Sequence, residues 1–264
     1  SYSYPTKQLN GAVIEEQPVK HVLNNLYVNK IGSYQKHVCD AIISKMNIDD
    51  KKHGLSFQDL LKPLSALNMT YPSEKMDEYV KSPNGSYSGQ IEKLFGEGGL
   101  SSIMTSRKVD KIVGNSKISV VEDYEYTEYC NTKYGRIFHP DNIKQFSSKI
   151  HAICKAIENS TGTVLIYSKY LKGGLLPIAL ALEEMGISRY CYASHVSSLL
   201  KEKQPPLDPL TMKPKKDNSD LYAKYVMITG TQEYSPDNVK DLERVFHPDN
   251  KDGGLVKVVL ISQA

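Results

Sequence analysis

Three apolar runs in the second half of this chain, Thr163–Ser168, Tyr225–Thr229 and Val256–Ser262, each close on a hydroxyl residue. The closing positions read Ser168-Lys169, Thr229-Gly230 and Ser262-Gln263. Hydroxyls and backbone N–H groups at strand ends can hold phosphates without reading bases. Ser and Thr also commonly begin the turns that follow strands, and on spacing alone both readings stand. Gly173-Gly174, at the start of an apolar helix, could cradle a phosphate on free backbone N–H groups or simply make a tight turn.

Other chemistry-bearing residues take a plainer reading. Phe-His-Pro-Asp-Asn occurs at 138–142 and again at 246–250. The first copy precedes a helical pattern and the second follows one, so capping and turn chemistry is expected rather than a site built from His139 and His247. Glu183-Glu184 sit late on a helix at successive positions that point in different directions, which predicts a solvated face rather than an acid–base pair. Asp77-Glu78 falls in a stretch that reads as polar loop, without the apolar strand that precedes a metal-holding Asp-Glu in ATPases. Lys201, Lys203, Lys213, Lys215 and Lys216 make one segment locally basic, which would suit a phosphate backbone but equally a solvated loop. No G-x-x-x-x-G-K-[ST] loop occurs, so this chain has no standard cradle for nucleotide phosphates.

The elements that must position these residues follow from periodicity. Tyr34, Val38, Ala41, Ile42 and Met46 share one face of a helix that starts with Ser33 as N-cap and ends near Asn47. A polar loop over 49–54 leads to the apolar segment Leu64–Tyr71. Residues 73–90 have the composition of a mobile loop. Two short helices are predicted at about 89–96 and 98–106, then a polar stretch and an acidic, tyrosine-rich run from Glu122 to Tyr129. One long helix is expected from Pro140 to Asn159.

After it the pattern becomes regular. The run at 163–168 reads as a strand buried on both faces, Leu175–Met185 as a helix closed by Gly186, and strands follow at about 189–192, 225–229 and 256–262. A helix begins at Ser235-Pro236, and 201–220 reads as a disordered or extended surface loop. This alternation implies parallel pairing in an open α/β sheet, whose ligands gather at the carboxyl ends of the strands.

The stretch TGTVLIYSKYLKGGLLPIALALEEMG, from Thr161 to Gly186, resembles a segment of the superfamily 2 helicases of nucleocytoplasmic large DNA viruses, the giant-virus and asfarvirus relatives of poxvirus transcription helicases. The likeness continues through Tyr225–Gly230, Asp249-Asn250 with Gly253-Gly254, and Lys257–Ala264; upstream it is patchier, at Leu64–Pro72, Gly98-Gly99-Leu100 and Tyr134–Phe138.

The resemblance implies an incomplete RecA-like parallel sheet over about 140–264, preceded by a mainly helical, loop-rich region. In domain terms that is an inter-domain region over 1–135 and a truncated second RecA-like domain over 136–264. It further implies nucleic-acid contacts by Ser168, Lys169, Gly173, Thr229, Gly230 and Ser262, and DNA or RNA as partner. A first RecA-like domain on the same or another chain would complete the motor, with viral transcription machinery as a further associate. ATP and Mg²⁺ would serve the parent motor, located in host cytoplasm or virion, and none is expected for this segment alone. The arginine that stabilises the transferring phosphoryl group lies outside the resemblance, and its loss removes roughly 10³–10⁵ in rate. Two rivals stay open: a complete, non-catalytic module binding nucleic acid or protein through the same sheet, and a doubly wound small-molecule enzyme.

Composition bounds all three. With 33 Lys plus Arg against 30 Asp plus Glu, the net charge of +3 does not announce nucleic acid, so such contact must be a local patch. Four scattered cysteines without a C-x-x-C pair predict reduced thiols rather than a zinc site. No apolar run approaches the roughly 20 residues of a membrane span, and the opening SYSYPTKQ lacks the apolar core of a signal peptide. The expectation is a protein neither membrane-spanning nor secreted, with both ends cut from something longer.

Overall fold

A computed structural model describes residues 29–46, 57–82, 87–193, 198–215 and 221–262. The expectations for 1–28, the 49–54 loop, 216–220 and Gln263-Ala264 lie outside the described residues. Residues Ile31–Ala264 form one compact unit, whose main core runs from Tyr34 to Leu260.

The helical part is built on amphipathic spacing. In α1 (Ser33–Ser44) Tyr34, Val38, Ala41 and Ile42 are buried, as the period predicts, though Gly32 rather than Ser33 occupies the cap. Next come α2 (Phe57–Asn68), with Pro63 inside it, and α3 (Glu74–Lys81). The latter corrects the mobile-loop reading of 73–90 over its described part. Ser73 caps the helix by accepting the Met76 N–H at 3.2 Å, and Met76 is buried; a cap and one apolar anchor outweigh the polar composition. Asp77 and Glu78 therefore lie on a helix, not in a loop. A short 3-10 turn (Ile91–Lys93) precedes α4 (Gly96–Ile103).

The polar stretch after α4 is a long antiparallel hairpin, β1 (Met104–Val113) and β2 (Ser116–Tyr126). Its two-residue turn has Gly114 at φ +59°, the left-handed value needed at the first position of a type II′ turn. After α5 (Glu128–Lys133), the single helix expected over 140–159 is two: α6 (Pro140–Phe146) and α7 (Ser148–Glu158). Ser147 breaks it. Its Oγ accepts the Ile150 N–H as a new cap and donates to Asn68 O at 2.6 Å, a tertiary bond that periodicity does not reveal.

The sheet matches the expected α/β class. Strands β3 (Val164–Tyr167), β4 (Ser188–Arg189), β5 (Lys224–Ile228) and β6 (Val258–Ile261) are all parallel, in the order β3-β6-β5-β4. A π-helical turn (Leu171–Leu175) leads into α8 (Leu176–Met185), closed by Gly186 at φ +99° as expected. Val164, Ile166, Tyr225, Met227, Val258 and Leu260 face the main core with α8. The alternate residues Val226, Ile228 and Val259 face α9 (Asn238–Val245) through Leu242 and Val245.

That second face is only partly covered. β3 is an edge strand, and Leu165 and Tyr167 stand 65% and 64% exposed, so the reading of a strand buried on both faces is wrong. Glu183 and Glu184, expected on a solvated face, are buried. Glu183 accepts the N–H groups of Leu199 and Leu200 and the Tyr225 hydroxyl; Glu184 accepts from Tyr126 OH and Arg136 Nε. Burial raises the Glu183 carboxyl above its ordinary range despite these donors. The described part of 201–220 is an ordered excursion, pinned by Ala223 N–H to Leu207 O and by Lys201 to Glu125.

Candidate nucleic-acid interface

Parallel register brings β3, β6 and β5 to one level, where Tyr167 pairs with Ile261 and Ile261 with Ile228. The next residue of each strand is Ser168, Ser262 and Thr229. The ladder runs on through them: the Ser168 N–H donates to Ile261 O at 3.0 Å, and the Ser262 N–H to Ile228 O at 3.1 Å. Three residues distant in sequence thus stand side by side on the carboxyl edge. Lys169 and Gly230 come next and are exposed. Gly173 lies in the π-turn against Tyr170.

Two of the hydroxyls do the same local work. Ser168 Oγ accepts the Tyr170 N–H and donates to Tyr170 O, both at 3.2 Å. Thr229 Oγ1 accepts the Thr231 N–H at 3.3 Å and donates to Thr231 O at 3.1 Å. Each closes the turn after its strand. The Thr229 loop is tied further by its N–H to Ser235 Oγ and by Asn238 Nδ2 to Thr229 O. Lys169 has no hydrogen bond or ion pair among the described residues.

The hairpin supplies a wall that sequence reasoning missed. The Val121 N–H donates to Glu233 O, bringing β2 against the loop after β5. A cleft of about 170 Å³ opens there between α4, the hairpin and the π-turn. Lys172 pairs with Glu97 at 2.5 Å, Lys108 with Glu233 at 2.8 Å, and the Tyr124 and Tyr234 hydroxyls meet at 3.1 Å. The bond to Glu97 raises the Lys172 ammonium above its usual range, so it stays charged but neutralised. The one signal in the sequence was the pair of oppositely charged residues flanking glycines, Glu97 before Gly98-Gly99 and Lys172 before Gly173-Gly174.

At the far edge, Arg189 ends β4 in a buried position. Its Nη2 donates to Tyr234 O, while Nη1 has no partner among the described residues. Asp241 of α9 accepts the Tyr192 N–H at 2.5 Å, and burial pushes its carboxyl up to about 6 against that bond and the nearby Arg189 charge.

A Cβ on Gly174 would collide with Ser168 Oγ, so that glycine allows close packing within the protein, whereas one on Gly173 would meet Gly96 Cα at an ordinary 3.6 Å. Among the described residues, no three His, Cys, Asp or Glu side chains converge to hold a metal. His139 and His247 stay in separate turns, each accepting the N–H of the aspartate two residues on. No helix among the described residues is long and apolar enough to cross a membrane.

No protein-family model and no curated protein matches this sequence. The arrangement itself offers exposed rings and an ammonium without a partner among the described residues, while the N–H groups of Ser168, Ser262 and Thr229 are already engaged.

Proposed function

We propose that this chain is part of an ATP-dependent nucleic-acid motor, contributing the second RecA-like domain that carries the strand backbone. The work of the parent would lie in transcription or genome handling of a large DNA virus. The observation that carries the reading is the exposed Lys169, without a hydrogen bond or ion pair among the described residues, at the carboxyl edge where Ser168, Ser262 and Thr229 line up. Ligands of open parallel sheets collect at that edge. The rest of the motor, ATP and Mg²⁺ with it, belongs to the parent, and this segment by itself is inert toward ATP.

The test is binding of a labelled oligonucleotide by fluorescence anisotropy across a salt series. Affinity should fall steeply with salt, and Lys169→Ala should weaken binding while lowering the magnitude of the salt slope by about 1. No binding at low salt would overturn the reading.

A further inference from the structure

Two lysines beside the carboxyl edge are already engaged. Lys172, three residues past Lys169, pairs with Glu97 at the start of α4, and Lys108 of β1 pairs with Glu233, four residues past Thr229. The pairs run in opposite senses. In the first the cation belongs to the π-turn and the carboxylate to the helical part; in the second the cation belongs to the hairpin and the carboxylate to the loop after β5. All four side chains line the cleft that also holds Tyr124 and Tyr234. Lys172 feels the Glu233 carboxylate as well as its own partner, so the two pairs act on each other.

The cleft adjoins the strand ends through packed backbone. Gly174 of the π-turn leaves no room for a Cβ against Ser168 Oγ, and the Leu175 N–H donates to Tyr170 O at 3.0 Å. On the other wall the Val121 N–H donates to Glu233 O at 3.2 Å, and Leu100 and Leu176 are buried in the common core. The walls are therefore held without the ion pairs, and the charged side chains can change partners. Three of the four, Lys172, Glu97 and Lys108, are more than a third exposed. Pairs this open favour their closed form by at most about 5-fold. A phosphate can take the place of either carboxylate at little cost, and a polyanion adds the release of its counterions.

We propose, building on the reading of this edge as a nucleic-acid interface, that Glu97 and Glu233 are autoinhibitory contacts, each occupying an ammonium that a phosphate would otherwise take. Lys169 is the cation open from the start, and Lys172 and Lys108 join it only when the carboxylates give way. The edge is thereby set to weak binding, and whatever withdraws the two carboxylates strengthens it.

The experiment measures binding of a labelled oligonucleotide by anisotropy across a salt series for the chain and its Gln variants, which keep the side-chain shape and remove the charge. Glu97→Gln and Glu233→Gln should each tighten binding by about 3- to 5-fold at low salt and raise the magnitude of the salt slope by about 1. Glu158→Gln makes the same change in net charge and frees Lys155, but at the end of α7, which leads into β3 and so lies at the opposite, amino edge. It should bind as wild type does. On a Lys172→Ala background Glu97→Gln should gain nothing, and likewise Glu233→Gln on Lys108→Ala. If the two variants bind no more tightly than Glu158→Gln, or keep their gain without the partner lysine, the contacts are not autoinhibitory; a loss of affinity in Lys169→Ala would then leave the edge reading standing alone. If neither wild type nor the Glu97→Gln, Glu233→Gln double variant binds at low salt, both ideas fall together.

Discussion

The pentapeptide Phe-His-Pro-Asp-Asn is folded twice in this molecule, and the two copies agree in backbone but not in surroundings. His139 and His247 sit at φ, ψ of −60°, 141° and −61°, 136°, and each Nδ1 accepts the N–H of the aspartate two residues on, at 3.3 and 3.2 Å. Around that shared turn everything else differs. Phe138 is fully buried, edge-on to Tyr71, whereas Phe246 is 78% exposed. Asn142 donates one bond, to Arg136 O, but Asn250 accepts from Leu255 and Val256 and donates to Val245 O and Thr163 Oγ1, fastening the lead into β6. The first copy opens a seven-residue helix because Ile143 and Phe146 come next and find a core. The second stops after a 3-10 turn, since the chain continues as Lys-Asp-Gly-Gly with Gly253 at φ +77°. Five residues fix a cap; they do not fix what the cap is for.

Substitutions at matched positions can break that contrast. The largest effect is expected for Phe138→Ala, about 3–5 kcal/mol in chemical denaturation for a large ring lost from a core. A cost below about 1 kcal/mol would mean that Phe138 is not the anchor its burial suggests. Asn250→Ala leaves the buried Val256 N–H and three partly buried partners unmatched and should cost about 2–4 kcal/mol in all, while Asn142→Ala should cost about 1 kcal/mol. Equal costs would show that the fastening of β6 lies elsewhere. His139→Ala and His247→Ala each remove a cap worth about 1 kcal/mol, and a gap between them larger than the caps themselves would argue against shared local chemistry.

A smaller effect, read as a slope, concerns Asp241 on the helix that ends in the second copy. Its carboxyl is pushed up from 3.8 to about 6 by burial, so the folded state holds its proton more tightly than the unfolded chain does. Its contribution therefore favours the fold below about pH 4 and is lost as pH rises through about 6. Asp241→Asn keeps an acceptor for Tyr192 and removes that loss. The variant should gain stability relative to wild type between about pH 4 and 7, and a constant difference would refute the linkage. Smallest of all, Phe246→Ala should stay within about 0.5 kcal/mol, as for other surface positions.

Much of the sheet was legible because its signals are local. Alternating strand and helix patterns predicted parallel pairing, and Gly186 predicted the end of α8. The hairpin was not legible. β1 is exposed along most of its length and reads as polar chain; it becomes a strand by pairing with β2, which is anchored through Tyr124 N–H to Leu199 O and Val121 N–H to Glu233 O. The candidate site divides in the same way. Its strand-end residues could be picked out from the apolar runs, but their order across the sheet and the exposure of Lys169, Tyr167 and Tyr170 depend on neighbours far off in the chain.

The sequence alone determined the paired turns at His139 and His247 and the helix end at the left-handed Gly186, because each rests on dihedral preferences and hydrogen bonds within a few residues. Only the tertiary structure decided that Glu183 and Glu184 are buried, that Ser147 splits a helix by bonding Asn68, and that β3 lies at an edge. Burial and exposure are set by which distant surface arrives to cover a residue, and no local pattern carries that information.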